Sequence, residues 1–125
     1  MNLIHVCLNV ADADESIEFY EQFGFEESWS FEAGGTVNRY LADGEGTEIQ
    51  LAHTEGTERE DFERGRGGAW DHLAILVDDV EETFETVDNY GVAAEPAHQP
   101  AANAKIAFIE DPDGHVIELV ESLDE

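Results

Sequence analysis

The sequence predicts an α+β fold made of two tandem βαβββ modules, and three observations carry that prediction. The chain repeats itself once: Ile4-His5-Val6-Cys7-Leu8-Asn9-Val10-Ala11-Asp12 returns as Asp71-His72-Leu73-Ala74-Ile75-Leu76-Val77-Asp78-Asp79, and the stretch 43–51 returns as 111–119. In each copy apolar residues first alternate and then switch to helical spacing, the order strand then helix. Each switch carries an Asp followed three residues later by a Glu, Asp12 with Glu15 and Asp79 with Glu82, the pattern of a helix N-cap. An internal repeat of this kind means two copies of one supersecondary unit, in which equivalent residues can do equivalent work.

In the first copy residues 3–10 alternate, with Ile4, Val6, Leu8 and Val10 on one face, read as core, and Leu3, His5, Cys7 and Asn9 on the other. Ile17, Tyr20 and Phe23 recur at helical spacing until Gly24 stops the run. Strands follow at 25–31, 37–41 and 48–52, separated by Gly-rich turns at Gly34-Gly35 and 44–46. The second copy keeps the same grammar: a strand at 70–77, Val80, Phe84 and Val87 on one helical face, a stop at Gly91, and strands near 92–95, 104–110 and 115–120. The turn Asp111-Pro112-Asp113-Gly114 precedes the last of them. Module one runs to about 54 and module two from about 69 to 122, in a single domain of 125 residues. The polar linker between them, 55–68, holds Arg59, Arg64 and Arg66, three of the five basic residues in the chain.

Acidic residues number 31 against those 5 basic ones, a net charge of −26, while 42% hydrophobic residues supply a core. The acids are interleaved with apolar runs, so they read as the shell of a folded protein instead of a disordered tail. Such a surface repels nucleic acid phosphates and anionic membranes, and the reading it favours is life in high salt. Cys7 is the only cysteine, which excludes an intramolecular disulfide, and it is expected to be a small buried side chain. No apolar run is long enough for a signal peptide or a membrane span, so the expected location is cytoplasmic. Trp70 and Phe31 are read as core before pocket wall, and His53, His98 and His115 as structural.

Alternation also says which way the chemistry points. With Val6 and Leu8 beneath the first helix, His5 projects from the opposite face, and His72 stands likewise opposite Leu73 and Ile75. Gln50 lies opposite Ile49 and Leu51, and Glu118 opposite Ile117 and Leu119. All four side chains can bind a divalent metal, and they form two repeat-equivalent pairs.

Nearly the whole chain resembles the glyoxalase I branch of the vicinal oxygen chelate superfamily. The motifs are Ile4-His5 on the first strand, Ser16-Ile17-Glu18-Phe19-Tyr20 on the helix, Asp71-His72-Leu73-Ala74, and Ala107-Phe108 through Asp111-Pro112-Asp113-Gly114-His115-Val116-Ile117-Glu118-Leu119. The resemblance implies a cupped mixed sheet, a homodimer, and one divalent ion (Zn, Ni, Co or Mn) held by His5, Gln50, His72 and Glu118. It further implies isomerisation of the hemithioacetal of methylglyoxal and a small thiol to an S-lactoyl thioester, with Glu118 as the catalytic base. Gln50 departs from the two-Glu pattern of many bacterial relatives, and Asn9 and Thr54 stand where glutathione users tend to carry Arg and Asn. Asn9, Thr54, Arg64, Arg66 and Lys105 are the candidate contacts for the thiol, although the three cations could equally relieve acidic repulsion. If Gln50 only stands beside the ion, the remaining two His and one carboxylate suit iron(II) in a ring-cleaving dioxygenase. A thioester epimerase, with Glu48 as a second base, and a non-catalytic small-molecule binding protein complete the alternatives.

Overall fold

Each repeat folds into its own four-stranded mixed sheet with one helix. The computed structural model describes residues 1–63 and 66–124, which divide into the units Met1–Phe62 and Glu63–Glu125. The first unit contains β1 (His5–Asn9), α1 (Ala13–Glu21), β2 (Glu26–Ala33), β3 (Thr36–Ala42) and β4 (Glu48–Thr54), followed by a single 3-10 turn at Arg59–Asp61. Its sheet order is β1-β4-β3-β2, with β1 parallel to β4 and the other pairs antiparallel. The second contains β5 (Leu73–Leu76), α2 (Val80–Thr86), β6 (Val92–Gln99), β7 (Ala104–Glu110) and β8 (Val116–Ser122), in the order β5-β8-β7-β6. β5 is parallel to β8, the same plan a second time. No helix among the described residues is long and apolar enough to cross a membrane.

Both expected helix caps form. The Asp12 side chain accepts from the Glu15 amide at 3.2 Å and Asp79 from the Glu82 amide at 3.1 Å, each in extended backbone, a contribution of about 1 kcal/mol apiece. α1 buries Ser16, Ile17, Phe19 and Tyr20, and the sheet beneath contributes Leu8, Val10, Leu41, Ile49 and Leu51. In the second unit Val80 of α2 is buried with Ala107, Ile109, Ile117 and Leu119. The alternation therefore assigns the covered face of each sheet correctly.

Several expectations are corrected. Ile4 is 63% exposed, because β1 begins after it at the open edge of the sheet. Cys7 is exposed on the face opposite Leu8. α2 ends at Thr86, so Val87 is extended backbone and not part of a helical face. Gly91 lies beyond that end and against the Glu110 carboxylate, which a Cβ there would push aside. β6 continues to Gln99 through two register shifts and Pro96, a residue tolerated because β6 is an edge strand.

One irregularity positions the site. In β2, Glu27 pairs with Leu41 but Trp29 pairs with Tyr40, so Ser28 is an extra residue. Without that bulge Glu27 and Trp29, two apart, would share a face. With it, Glu27 stays on the helix side, bonded to Arg39, while Trp29 and Phe31 turn to the face that carries His5 and Gln50. Phe31 is thus 41% exposed instead of core, and Trp70, before β5, is 50% exposed.

Candidate active site

Register places the candidate donors in the same way in both units. Cys7 lies opposite Gln50 across the parallel pair β1/β4, and His5, two residues before Cys7, stands on the same face one step away along the diagonal. Ala74 lies opposite Glu118 across β5/β8, and His72, two residues before Ala74, occupies the same diagonal. The next strand supplies a ring in each case. Tyr40 pairs with Gln50 and meets the His5 ring edge-on at 5.5 Å, and Phe108 pairs with Glu118 and meets His72 edge-on at 5.4 Å.

The second unit is the more tightly organised. His72 Nδ1 lies 2.6 Å from Asp71 Oδ1, a carboxylate that can only accept, so Nδ1 carries the proton of that bond and Nε2 is turned outward. That Nε2 is 3.1 Å from Glu118 Oε1. Two acceptors this close require a positive centre, either a proton on Nε2 or a cation. An ion bonded to both at about 2.0 to 2.2 Å holds such atoms roughly 3 Å apart when the bonds are at right angles, so the pair fits a metal. Asp71 also receives Arg66 Nε at 2.6 Å and the Gly67 amide at 3.1 Å, and Arg66 lies over the Phe108 ring at 4.2 Å. The bonds from His72 and Arg66 hold the Asp71 carboxyl down to about 2.

In the first unit Gln50 donates from Nε2 to Asn38 Oδ1 at 2.8 Å. Glu48, opposite His5, accepts from Ser28 Oγ at 2.5 Å. Trp29 stacks on Tyr40 at 4.2 Å and on Phe31 at 5.6 Å, a shelf of three rings beside the donors. Burial, with the nearby charges of Cys7 and Glu48, pushes the Tyr40 hydroxyl up, and burial also raises the Cys7 thiol.

The other sequence candidates separate by face. Asn9 shares the His5 face, and Thr54 shares the Gln50 face, its hydroxyl 2.8 Å from that of Thr36. Lys105, three residues from Phe108 on β7, points to the helix side, where its ammonium sits 3.1 Å from Glu81. Arg64 lies outside the described residues. His53 is structural, with Nδ1 3.0 Å from the Val10 carbonyl. His115 forms a group with Asp111 and Asp113 whose donor atoms lie within 4.8 Å of one another, a cluster sequence reasoning did not single out. Asp111 there accepts from the amides of Asp113 and His115, the bonding of a tight turn.

Comparison with known proteins decides the family. The chain matches the Glyoxalase/Bleomycin resistance protein/Dioxygenase superfamily over residues 2–119. It belongs to that superfamily. Within it, a probable lactoylglutathione lyase of Vibrio cholerae is 34% identical over 96% of this chain and 90% of its own. Crystallised glyoxalase I from Zea mays superposes with a TM-score of 0.80 at 25% identity over 98% of this chain, which spans 45% of the maize chain. The trypanothione-dependent glyoxalase I of Leishmania major gives 0.76 at 25% identity, over 97% of this chain and 86% of its own. This member of the superfamily is therefore a glyoxalase I-like enzyme, a likeness that implies a divalent metal ion.

Proposed function

We propose that the enzyme converts the hemithioacetal of methylglyoxal and a small thiol to an S-lactoyl thioester, using one divalent ion. The observation that carries this reading is the repeated diagonal of histidine and oxygen donor, with His72 Nε2 and Glu118 Oε1 3.1 Å apart. His5, Gln50, His72 and Glu118 are the proposed ligands, the two pairs being brought to one ion of Zn, Ni, Co or Mn in a homodimer. When bound, the ion supplies Lewis-acid stabilisation of the negative charge that develops on the substrate oxygens.

The Glu118 carboxylate removes the proton from the carbon bearing the hydroxyl and returns it to the neighbouring carbon, acting first as base and then as acid. One C–H bond breaks and another forms, and the hydroxyl proton passes to the neighbouring oxygen, so the isomerisation needs no external oxidant or reductant. Asp71 keeps the imidazole proton on Nδ1, which leaves the His72 Nε2 lone pair for the ion. Gln50 is neutral, and with one carboxylate in the set instead of two the ion keeps more positive charge. Trp29, Phe31 and Tyr40 offer the aldehyde carbon chain a flat aromatic surface. Asn9, Thr54 and Arg66 are proposed to meet the thiol, whose identity differs among the relatives: glutathione by name in one, trypanothione in another. The acidic shell fits work in the cytoplasm of a cell rich in salt.

The test is thioester formation from methylglyoxal and a panel of thiols in concentrated potassium chloride, on stripped protein with Zn, Ni, Co, Mn or no metal added. Metal-dependent turnover supports the reading and names the thiol. One bound ion per chain with no turnover on any thiol refutes it in favour of a dioxygenase or epimerase; no bound ion leaves the sequestering protein.

A further inference from the structure

We propose that Asn38 is a positioning residue that fixes the Gln50 amide with its oxygen toward the metal, making an amide usable where a carboxylate would need no help. The inference rests on the reading of Gln50 as a ligand. A carboxylate offers an acceptor oxygen whichever way its terminal torsion turns. A primary amide does so in only one of two orientations, and in the other it aims N–H donors at the cation.

A chain of hydrogen bonds settles the orientation. The Thr36 backbone carbonyl can only accept, and Asn38 Nδ2 donates to it at 3.4 Å. Asn38 Oδ1 is then the acceptor left for its neighbour, and Gln50 Nε2 donates to it at 2.8 Å. The carbonyl oxygen is the end of the Gln50 amide that remains for an ion. Asn38 is only 7% exposed, so water competes poorly for these bonds.

The second unit provides an internal control. Tyr40 opposite Gln50 corresponds to Phe108 opposite Glu118, and two residues earlier on the same strands Asn38 opposite Ala52 corresponds to Ile106 opposite Val120. The polar neighbour occurs beside the amide, and an isoleucine takes its place beside the carboxylate. Asn38 and Gln50 thus form a matched pair. Gln50→Glu alone sets a carboxylate oxygen against Asn38 Oδ1, and rotating Asn38 to relieve that sets Oδ1 against the Thr36 carbonyl. Asn38→Leu with Gln50→Glu sets an apolar residue beside a carboxylate, as Ile106 stands beside Glu118 in the second unit, and removes the conflict.

The experiment is a titration of the stripped full-length chain with cobalt(II), reading affinity by competition and ligand geometry from the visible absorption spectrum. Asn38→Leu is expected to weaken cobalt about 10- to 100-fold and shift the spectrum, the usual cost of removing a hydrogen-bond partner behind a ligand. Gln50→Glu alone is expected to bind less tightly than the double variant Asn38→Leu/Gln50→Glu. Asn38→Asp sets its second oxygen against the Thr36 carbonyl, at a cost in stability, but keeps an acceptor for Gln50 Nε2 and is expected to keep the parent spectrum, which separates positioning from a merely structural role. Simple additivity of the two single changes, or loss of cobalt by Asn38→Asp and Asn38→Leu alike, overturns the inference. Gln50→Ala that binds cobalt with parent affinity and spectrum overturns instead the reading of Gln50 as a ligand.

Discussion

In the first unit the diagonal from histidine ends in an amide flanked by stacked aromatic rings; in the second it ends in a carboxylate, with an acid and an arginine behind the histidine. The plan of the diagonal is shared, so the difference lies in its side chains and, for the aromatic rings, in the bulge at Ser28. It teaches that a duplicated unit can keep one frame and differ in chemistry: the first half carries stacked rings and a neutral amide, the second carries charge, and under the proposed function that charge includes the group that moves a proton. Even the ion-pair networks sort this way. Arg39 binds Asp14 and Glu27 on the helix side of the first sheet, whereas Arg66 and Asp71 stand behind the donor histidine of the second.

The largest expected effect is at Glu118. Glu118→Gln should lower kcat about 10²- to 10⁴-fold while the chain still binds metal, measured by turnover and metal content on the same sample; parent activity would remove the proton-moving role from the second unit. Next, Asp71→Ala frees the His72 ring and should weaken zinc or cobalt about 10- to 100-fold, while no change in affinity would mean the two histidines are held equally well without it. Trp29→Ala should raise KM roughly tenfold, more for a bulky aldehyde than for methylglyoxal, with kcat little altered; a fall in kcat alone would move chemistry into the first unit. The smallest effect concerns pH. Arg39 holds the Glu27 carboxyl below its ordinary value of 4.5, so that bond contributes fully above this pH and is lost as pH falls through the lowered value. The melting difference between the parent and Arg39→Gln, worth under about 1 kcal/mol at an exposed site, should shrink on acidification and vanish below the lowered value. A constant difference would refute the assignment.

Much of this was legible in the residues. The caps at Asp12 and Asp79 and the alternation through Val6 and Leu8 or Ile117 and Leu119 depend on local chemistry, which sequence displays directly. The face carrying His5, Gln50 and Glu118 followed from the same two-residue period. What failed has a physical reason in each case. Phe31 was read as core because nothing in the letters marks Ser28 as an extra residue that turns the strand over. Ile4 and Cys7 look buried by type, but a strand at the edge of a sheet leaves them in the open. A helix stop at Gly91 and a strand end near 95 were expected, whereas α2 ends at Thr86 and the edge position of β6 lets it run on through Pro96. The bond from Gln50 to Asn38 depends on the register of β3 against β4, which pairs residues far apart in sequence.

The register shifts in β2 and β6 have a further bearing, on colloidal behaviour. A chain with 31 acidic residues keeps its copies apart by charge in dilute buffer, but at about 1 M salt the screening length falls to roughly 3 Å and that protection disappears. A flat strand at the rim of a sheet would then template fibres. The outer strands β2 and β6 are bent by bulges, and β6 also lacks an amide hydrogen at Pro96, so neither presents a regular ladder to another molecule. β1 and β5, at the opposite rims, keep an unbroken register with their neighbours. Backbone irregularity can thus do in brine what repulsion does in fresh water.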